Sequence, residues 1–434
     1  MIRKLQYFFA LLLLVGVVQV NAAEEDSADR EKIIGEGSIS SDVFGSRGGY
    51  AHPFLTVSKF YSDNIYNTDD NTESDYISTI SPGIWLALPR VKEELLDFET
   101  SSVASGGLDL DLDTGKDFKR YQIYFYYSPE FYMYSDNSDE DLTKQRAEGM
   151  LQYNLRGGLT LEFVDQYIKS MDVRGTGIST EQDKFSTNFF MFRASYDIGP
   201  KLEFMADFSN FNVNYDASQN DYRDREDDSW SAYVWYELGA STSIFAQYQN
   251  VDVSYDLNSY YDSSMDRFYG GLSWDMTAKS SGTVKVGSSS KDYDNSLLSD
   301  VDDVIVELQL DYIFSSKTDF ELRAFRQNSE SNIAGVNSIL RSLFNAKVTY
   351  KPIDRITCIL DLEYVEDDYD GALNYGGFLK ERKDSSYLLS PSVEYRFKEW
   401  LTAKAAYYYI ERDSNFSDFD YSTNTFLISL TAAL

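Results

Sequence analysis

From residue 50 to the C-terminus, apolar and polar residues alternate with a period of two, and helical stripes are scarce. Val304, Val306, Leu308, Leu310, Tyr312 and Phe314 interleave with Ile305, Glu307, Gln309, Asp311 and Ile313. Leu202, Phe204, Ala206 and Phe208 oppose Lys201, Glu203, Met205 and Asp207 in the same way. Successive side chains of a strand point to opposite faces, so each run predicts a strand with one greasy face. The strands fall over residues 50–60, 75–88, 120–134, 144–155, 159–170, 184–198, 201–215, 228–238 and 243–255. They continue over 265–276, 282–293, 303–314, 318–330, 338–350, 354–366, 383–397, 401–413 and 421–434, eighteen in all.

A half-buried strand of a soluble sandwich alternates too, so length and spacing must discriminate. Most of these runs span 11 to 15 residues, whereas soluble strands average about 5–6 and tilted membrane strands need about 9–11. The connections alternate in kind. Tight turns such as Arg156-Gly157-Gly158, Gly199-Pro200 and Lys351-Pro352 take turns with long polar loops around 61–74, 135–143, 171–183, 216–227, 256–264, 294–302, 331–337, 367–382 and 414–420. Tyr236, Trp274, Tyr312, Phe314, Tyr350, Tyr395, Phe397 and Trp400 gather where the tight turns begin, as an interfacial girdle does. The expectation is an all-β fold, a transmembrane antiparallel β-barrel of about eighteen strands with short periplasmic turns and long extracellular loops.

The remaining segments set the address. Arg3 and Lys4, the apolar run Phe8–Val18 and the small-residue pattern Val20-Asn21-Ala22 predict a secretory signal peptide over 1–22. Residues 23–48 are acidic and Ser/Gly-rich and predict a mobile periplasmic lead-in to a barrel over 49–434. Residues 88–119 are too long for a periplasmic turn and predict a periplasmic or lumenal insertion. The last residues, Phe426, Ile428, Leu430, Ala432 and Leu434, resemble the C-terminal strand by which the barrel assembly machinery recognises its clients, with Leu434 where an aromatic is usual. The address is therefore the cell outer membrane, with its lipid and lipopolysaccharide as neighbours.

Composition narrows the chemistry. Tyr 35, Phe 28 and Trp 5 against Pro 7 suit strands, and a formal net charge of −32 excludes partners held by neutralised phosphates, nucleic acid above all. The single cysteine, Cys358, forbids disulfides and cysteine-based metal sites. The single histidine, His52, sits at the start of the first strand, so general-base catalysis at an outer face has no histidine to use, and no enzyme and no cofactor are expected. The acidic stretches Asp136–Asp141, Asp221–Asp228, Asp300–Asp303 and Glu366–Asp370 read as solvated loops, with calcium bridging to lipopolysaccharide as the less favoured reading, and no metal site is assigned.

If the greasy faces meet lipid, the alternate set lines a lumen wide enough at eighteen strands for an aqueous channel. The inward set holds fourteen acids against seven bases, a mildly cation-preferring wall in which most charges pair across neighbouring strands. The candidate lining that meets solute is Tyr124, Tyr126, Tyr132, Arg193, Asp207, Tyr233, Trp235, Arg267, Tyr269, Arg323, Arg355 and Arg396, aromatic faces beside charged groups that suit sugar rings.

Asp63-Asn64-Ile65-Tyr66, Ser74-Asp75-Tyr76-Ile77, Ile80-Ser81-Pro82-Gly83 and the spacing of Tyr124–Tyr134 before Asp136–Asp141 resemble the outer-membrane barrel porins of exopolysaccharide and capsule export clusters, the β-barrel porin-2 family. That resemblance implies passage of a polysaccharide chain, with periplasmic polysaccharide-export proteins as partners. A general or solute-selective diffusion porin is the alternative.

Overall fold

The computed structural model describes residues 50–88, 100–107, 120–172, 174, 182–277, 279–331, 333, 335–375 and 377–434; the leader and the lead-in lie outside them. The strands are β1 (Ala51–Ser62), β2 (Asp75–Leu88), β3 (Tyr121–Tyr134), β4 (Leu142–Asn154), β5 (Leu159–Met171), β6 (Lys184–Ile198), β7 (Leu202–Tyr215), β8 (Arg225–Gly239) and β9 (Thr242–Tyr255). They continue as β10 (Ser263–Thr277), β11 (Ser280–Tyr293), β12 (Val301–Ser315), β13 (Thr318–Ser329), β14 (Ser338–Ile353), β15 (Ile356–Tyr375), β16 (Phe378–Lys398), β17 (Leu401–Ser414) and β18 (Tyr421–Ala433). Each pairs antiparallel with its neighbours in sequence, and β1 pairs with β18 from Phe54↔Ala433 to Ser62↔Thr425, which closes the barrel. The expected eighteen strands are present.

One predicted loop is not a loop. Residues 367–382 continue β15 and β16 into a long ribbon, broken only by a register shift between Asp368 and Ala372. Its acidic composition hides the strand because Arg341 binds Asp367 and Lys383 binds Asp368 across strands, while Arg382 binds Asp384 along β16, so cations offset the carboxylates.

Alternation places the apolar set outward over the lower part of the wall: Phe204, Phe208, Val234, Tyr236, Ile244, Phe426, Ile428 and Leu430 are all exposed to the surroundings of the barrel. Toward the extracellular ends the polarity inverts. On β7 the outward residues change to Asn210, Asn212 and Asn214 while Phe211, Val213 and Tyr215 turn inward and are buried. On β9 the outward Ile244 and Ala246 give way to Asn250, Asp252 and Ser254, with Val251, Val253 and Tyr255 inside. The outer boundary of the hydrocarbon runs where this switch occurs. Trp230, Tyr248 and Phe268 form a contiguous aromatic row just below it, with ring centroids 4.9 and 4.6 Å apart, and Asn210 hydrogen-bonds Glu226 and Asp228 just above it. At the opposite end Tyr236, Phe314, Tyr350, Tyr395, Phe397 and Trp400 are exposed on the outside, the second girdle.

Two glycines are fixed by close approach. Phe54 lies over its cross-strand partner Gly83, and Phe245 over Gly271, where an added Cβ would come within 2.1 and 2.2 Å of the ring.

The acidic loops have a local cause. Asp141 accepts the Tyr134 N–H at 2.7 Å, Asp224 that of Tyr215 at 2.7 Å, Asp262 that of Tyr255 at 2.8 Å, Asp300 that of Tyr293 at 3.3 Å and Asp420 that of Ser414 at 2.6 Å. In each case a carboxylate just before the descending strand closes the loop on the last residue of the ascending one. Burial pushes the Asp224 and Asp420 carboxyls up from the usual carboxylate value. Asp262→Ala should lower the unfolding free energy of the detergent-solubilised barrel by about 1 kcal/mol, the net worth of such a bond, read as a lower urea midpoint at unchanged slope. Asp256→Ala, at an exposed neighbour in the same loop, should leave the midpoint unchanged.

Candidate functional site

A segment of the chain between β2 and β3 lies inside the barrel. Its described part, Thr100 to Gly107, spans the bore and bonds to the wall on several sides. Thr100 meets Gln166 of β5 at 3.0 Å and Thr187 of β6 at 2.8 Å, and the Ser102 hydroxyl donates to Asp172 at the end of β5. Arg225 of β8 donates to the Ser102 and Ala104 carbonyls at 2.7 and 2.9 Å while pairing with Asp227, which accepts the Gly106 N–H at 3.1 Å. Across the bore the Val103 carbonyl accepts the Glu330 N–H at 2.6 Å. Every residue from Thr100 to Gly106 is buried, Ala104 fully so. Thr100–Gly107 thus lies within the lumen, and the rest of the span 88–119, between Leu88 and this segment and after it, is outside the described residues.

Glu330 is the strongest tie. Its carboxylate meets Lys291 of β11 at 2.5 Å and Tyr255 of β9 at 3.1 Å. Burial pushes this carboxyl up, but Lys291 and Arg225 outweigh it and hold it below the usual carboxylate value.

Beneath the segment lies a partly open polar void, lined by Ser105 and Gly106 above and by Arg193, Asp207, Tyr233, Gln247, Gln249, Arg267, Tyr269, Lys285, Glu307 and Gln327 of the wall. The charges there are neighbours, as expected: Arg193 faces Asp207 at 3.5 Å and Lys285 faces Glu307 at 2.8 Å. Lys285 also sits 4.7 Å from the Tyr269 ring centroid and donates to Gln247, which donates to the Tyr233 hydroxyl at 3.0 Å. Arg267 donates to Gln249 and to the Asn328 carbonyl.

Of the predicted lining, Arg193, Asp207, Tyr233, Arg267 and Tyr269 meet around this void. Trp235 stacks on Phe245, centroids 4.0 Å apart, nearer the periplasmic turn. Arg323 is inward and buried on β13, and Arg396 is inward and half-buried at the periplasmic end of β16. Tyr124 and Tyr126 face inward but pack with Phe54, Trp85 and Phe189 in an apolar core, and Tyr132 packs with Phe60 and Leu142; their rings support the wall and line no void. Arg355 is a correction. It lies in the exposed two-residue turn between β14 and β15, because β14 runs three residues past its predicted end at Tyr350, to Ile353. Sequence reading missed Lys285, although its place between Val284 and Val286 marks it as inward, and missed Gln247, Gln249 and Gln327, which carry no charge to draw attention. His52 is a seam residue: its Nδ1 meets the Leu434 carbonyl at 3.1 Å and its ring packs 5.1 Å from Trp85. Among the described residues no group of three or more metal-ligating side chains converges.

A family model described as "Putative beta-barrel porin 2" matches residues 99–434, so the first-hairpin motifs that carry most of the sequence resemblance lie outside the matched region. No curated protein matches the chain. Solved structures similar to it include the outer-membrane protein OpdK from Pseudomonas aeruginosa, at 9% identity and a TM-score of 0.43, covering 88% of this chain and 99% of that one. A BenF-like porin from Pseudomonas fluorescens Pf-5 gives 10% and 0.45 over 89% and 100%, and Pseudomonas aeruginosa OccK2 (OpdF) in complex with glucuronate gives 11% and 0.45 over 88% and 98%. Since one family's model takes in nearly the whole of the closed barrel, the chain belongs to the beta-barrel porin 2 family and is an integral barrel of the outer membrane.

Proposed function

We propose that the protein is a solute-selective diffusion pore whose constriction is the lumenal segment Thr100–Gly107 and whose solutes are small hydroxylated organic anions. The observation that carries this reading is the segment itself, bonded across the bore to β5, β8 and Glu330. What it leaves free is the polar, partly open space beneath it, and a few convergent polar groups in a concave site are what orient a small solute. The void presents three bases, Arg193, Arg267 and Lys285, against Asp207 and Glu307, with two tyrosines and three glutamine amides between them. This reverses the two-to-one excess of acids counted along the whole inward face. Guanidinium and ammonium groups favour a carboxylate, while hydroxyls and amides bond to solute hydroxyls. Passage of a polysaccharide, which the sequence resemblance implies, demands that the segment leave the bore, since a polymer needs a continuous path.

Deleting residues 100–107 should raise single-channel conductance of the refolded protein in planar bilayers several-fold over the intact chain. Equal conductance in the two proteins would remove the segment from the role of constriction. Lys285→Glu with Arg267→Glu should shift the reversal potential in a salt gradient toward cations; an unchanged potential would dissociate the void from the permeation path.

The tie at Glu330 also fixes a pH dependence. A carboxyl held below its unfolded value of about 4.3 contributes stability that is fully present above that value and is lost as pH falls through the lower folded value. The Glu330 tie should therefore be unchanged from pH 8 to about pH 5, while burial pushes the Asp227 carboxyl up to about 6, so the conductance of the intact protein should begin to rise near pH 6 and rise further in stronger acid.

A further inference from the structure

The wall parts at one place where no proline forces it. β12 pairs with β11 along its whole upper length, up to Lys291↔Val301, but with β13 only as far as Val306↔Arg326. Residues Val301–Ile305 thus have a strand partner on one side alone. β13 continues with β14 to Ser329↔Ile339 and turns inward: Gln327 lines the central void, the Asn328 carbonyl accepts from Arg267 of β10, and Glu330 reaches Lys291. The side chain of Arg326 lies in the cleft. It donates to the Val304 carbonyl and stands 3.5 Å from Asp303, in place of the missing ladder.

The height of the cleft matters. On β12 the outward residues change from apolar Val304 to Asp302, and Ser290 of β11 bonds Asp302 at 2.7 Å, so the parting begins at the outer hydrocarbon boundary. An open sheet edge does not occur within the hydrocarbon, and this one lies at its outer limit, where the Arg326 side chain takes the place of the ladder. Behind the cleft the surroundings grade from apolar to polar. Phe325, Leu343 and Val365 form a buried apolar cluster, and Gln327 leads to the void with Arg193, Arg267 and Lys285. Asn328, on the same face of β13 as Arg326 by the strand's alternation, is 2% exposed, and neither its side-chain oxygen nor its nitrogen has a partner among the described residues.

We propose that the β12–β13 parting is a lateral portal through which single-chain anionic amphiphiles pass between the outer leaflet and the lumen. The head group enters the void beside Arg267 and Lys285, Asn328 hydrogen-bonds it on the way, and the chain trails past Val304 and Phe325. Arg326 is the latch. The inference does not depend on which solute travels along the barrel axis.

The test uses the full mature chain in proteoliposomes with dodecyl phosphate carrying a diazirine in its chain, followed by mass-spectrometric mapping of the adducts. Adducts at Gln327, Asn328 and Phe325 are expected in the wild type, increased several-fold by Arg326→Ala and returned toward wild type by Arg326→Lys. Adducts confined to outward residues such as Val304, Val306 and Phe268, and equal in all three proteins, would overturn the portal. Folding of each variant is read from heat-modifiable migration. Axial salt conductance is read in parallel, so that a barrel without axial conductance counts against the diffusion reading and leaves the portal to be judged on its adducts.

Discussion

A bilayer offers no water to an unpaired backbone group, so a sheet inside it must close on itself, and everything else in this molecule follows from that closure. The seam between β1 and β18 is secured well beyond its ladder. Thr56 and Thr431 share a buried hydroxyl bond of 2.9 Å, the Leu434 N–H reaches the Pro53 carbonyl at 3.0 Å, and His52 donates from Nδ1 to the Leu434 carbonyl. Where the ladder is interrupted elsewhere, chemistry explains it. β2 and β3 keep register but lose their ladder between Ile80↔Phe131 and Ile84↔Tyr127, where Pro82 and Pro129 have no N–H to give, and the Ser128 hydroxyl donates to the Pro82 carbonyl instead. β16 and β17 skip at Ser390 and Pro391 for the same reason. The β15–β16 shift between Asp368 and Ala372 has no proline and contains Gly371 at a φ of 100°; the β12–β13 parting has neither, and there the strand is drawn inward by groups in the lumen.

Closure also decides what the interior must be. Eighteen strands enclose more space than wall side chains fill, and here the space is divided in two. Toward β1–β7 it is a solid core of Trp85, Phe185, Phe189 and Phe211; toward β8–β14 it is polar. The lumenal segment sits at the junction and brings backbone carbonyls to a buried arginine. Arg225 is sound there because Asp227 and two carbonyls satisfy its guanidinium; a buried cation stripped of these partners would cost several kcal/mol.

The barrel was legible in the sequence because its strands are long and period two survives their whole length. Strand count, girdle and closure followed from that. Polarity inversion was not legible as such: Phe211 and Val213 share the inward face with Glu203 and Asp207, and a rule that sends every apolar residue to lipid misplaces them. The tyrosines at 124, 126 and 132 went astray for the same cause, since direction along the strand was read correctly but depth was not. The acidic loops carried an overlooked regularity, Tyr followed by Asp seven residues on at Tyr134, Tyr255 and Tyr293. The path of residues 100–107 was beyond reach, because Thr100-Ser101-Ser102-Val103-Ala104 has neither period nor charge, and its place is set by Arg225, Asp172 and Glu330, all distant in sequence.

Glu330 joins the two halves of the lumen's design. Its backbone N–H holds the segment at Val103, and its carboxylate, through Lys291 and Tyr255, holds the upper end of β13 away from β12. Withdrawal of the segment therefore removes a bond from the residue that keeps the wall parted, and return of β13 to β12 would pull Glu330 from both partners at once. Five residues of edge on β12 stand to regain their ladder in that movement, against the loss of one buried ion pair and the bonds around it. The two arrangements exchange backbone bonds for side-chain bonds of similar number, which is the condition under which a strand end moves between two positions rather than staying in one.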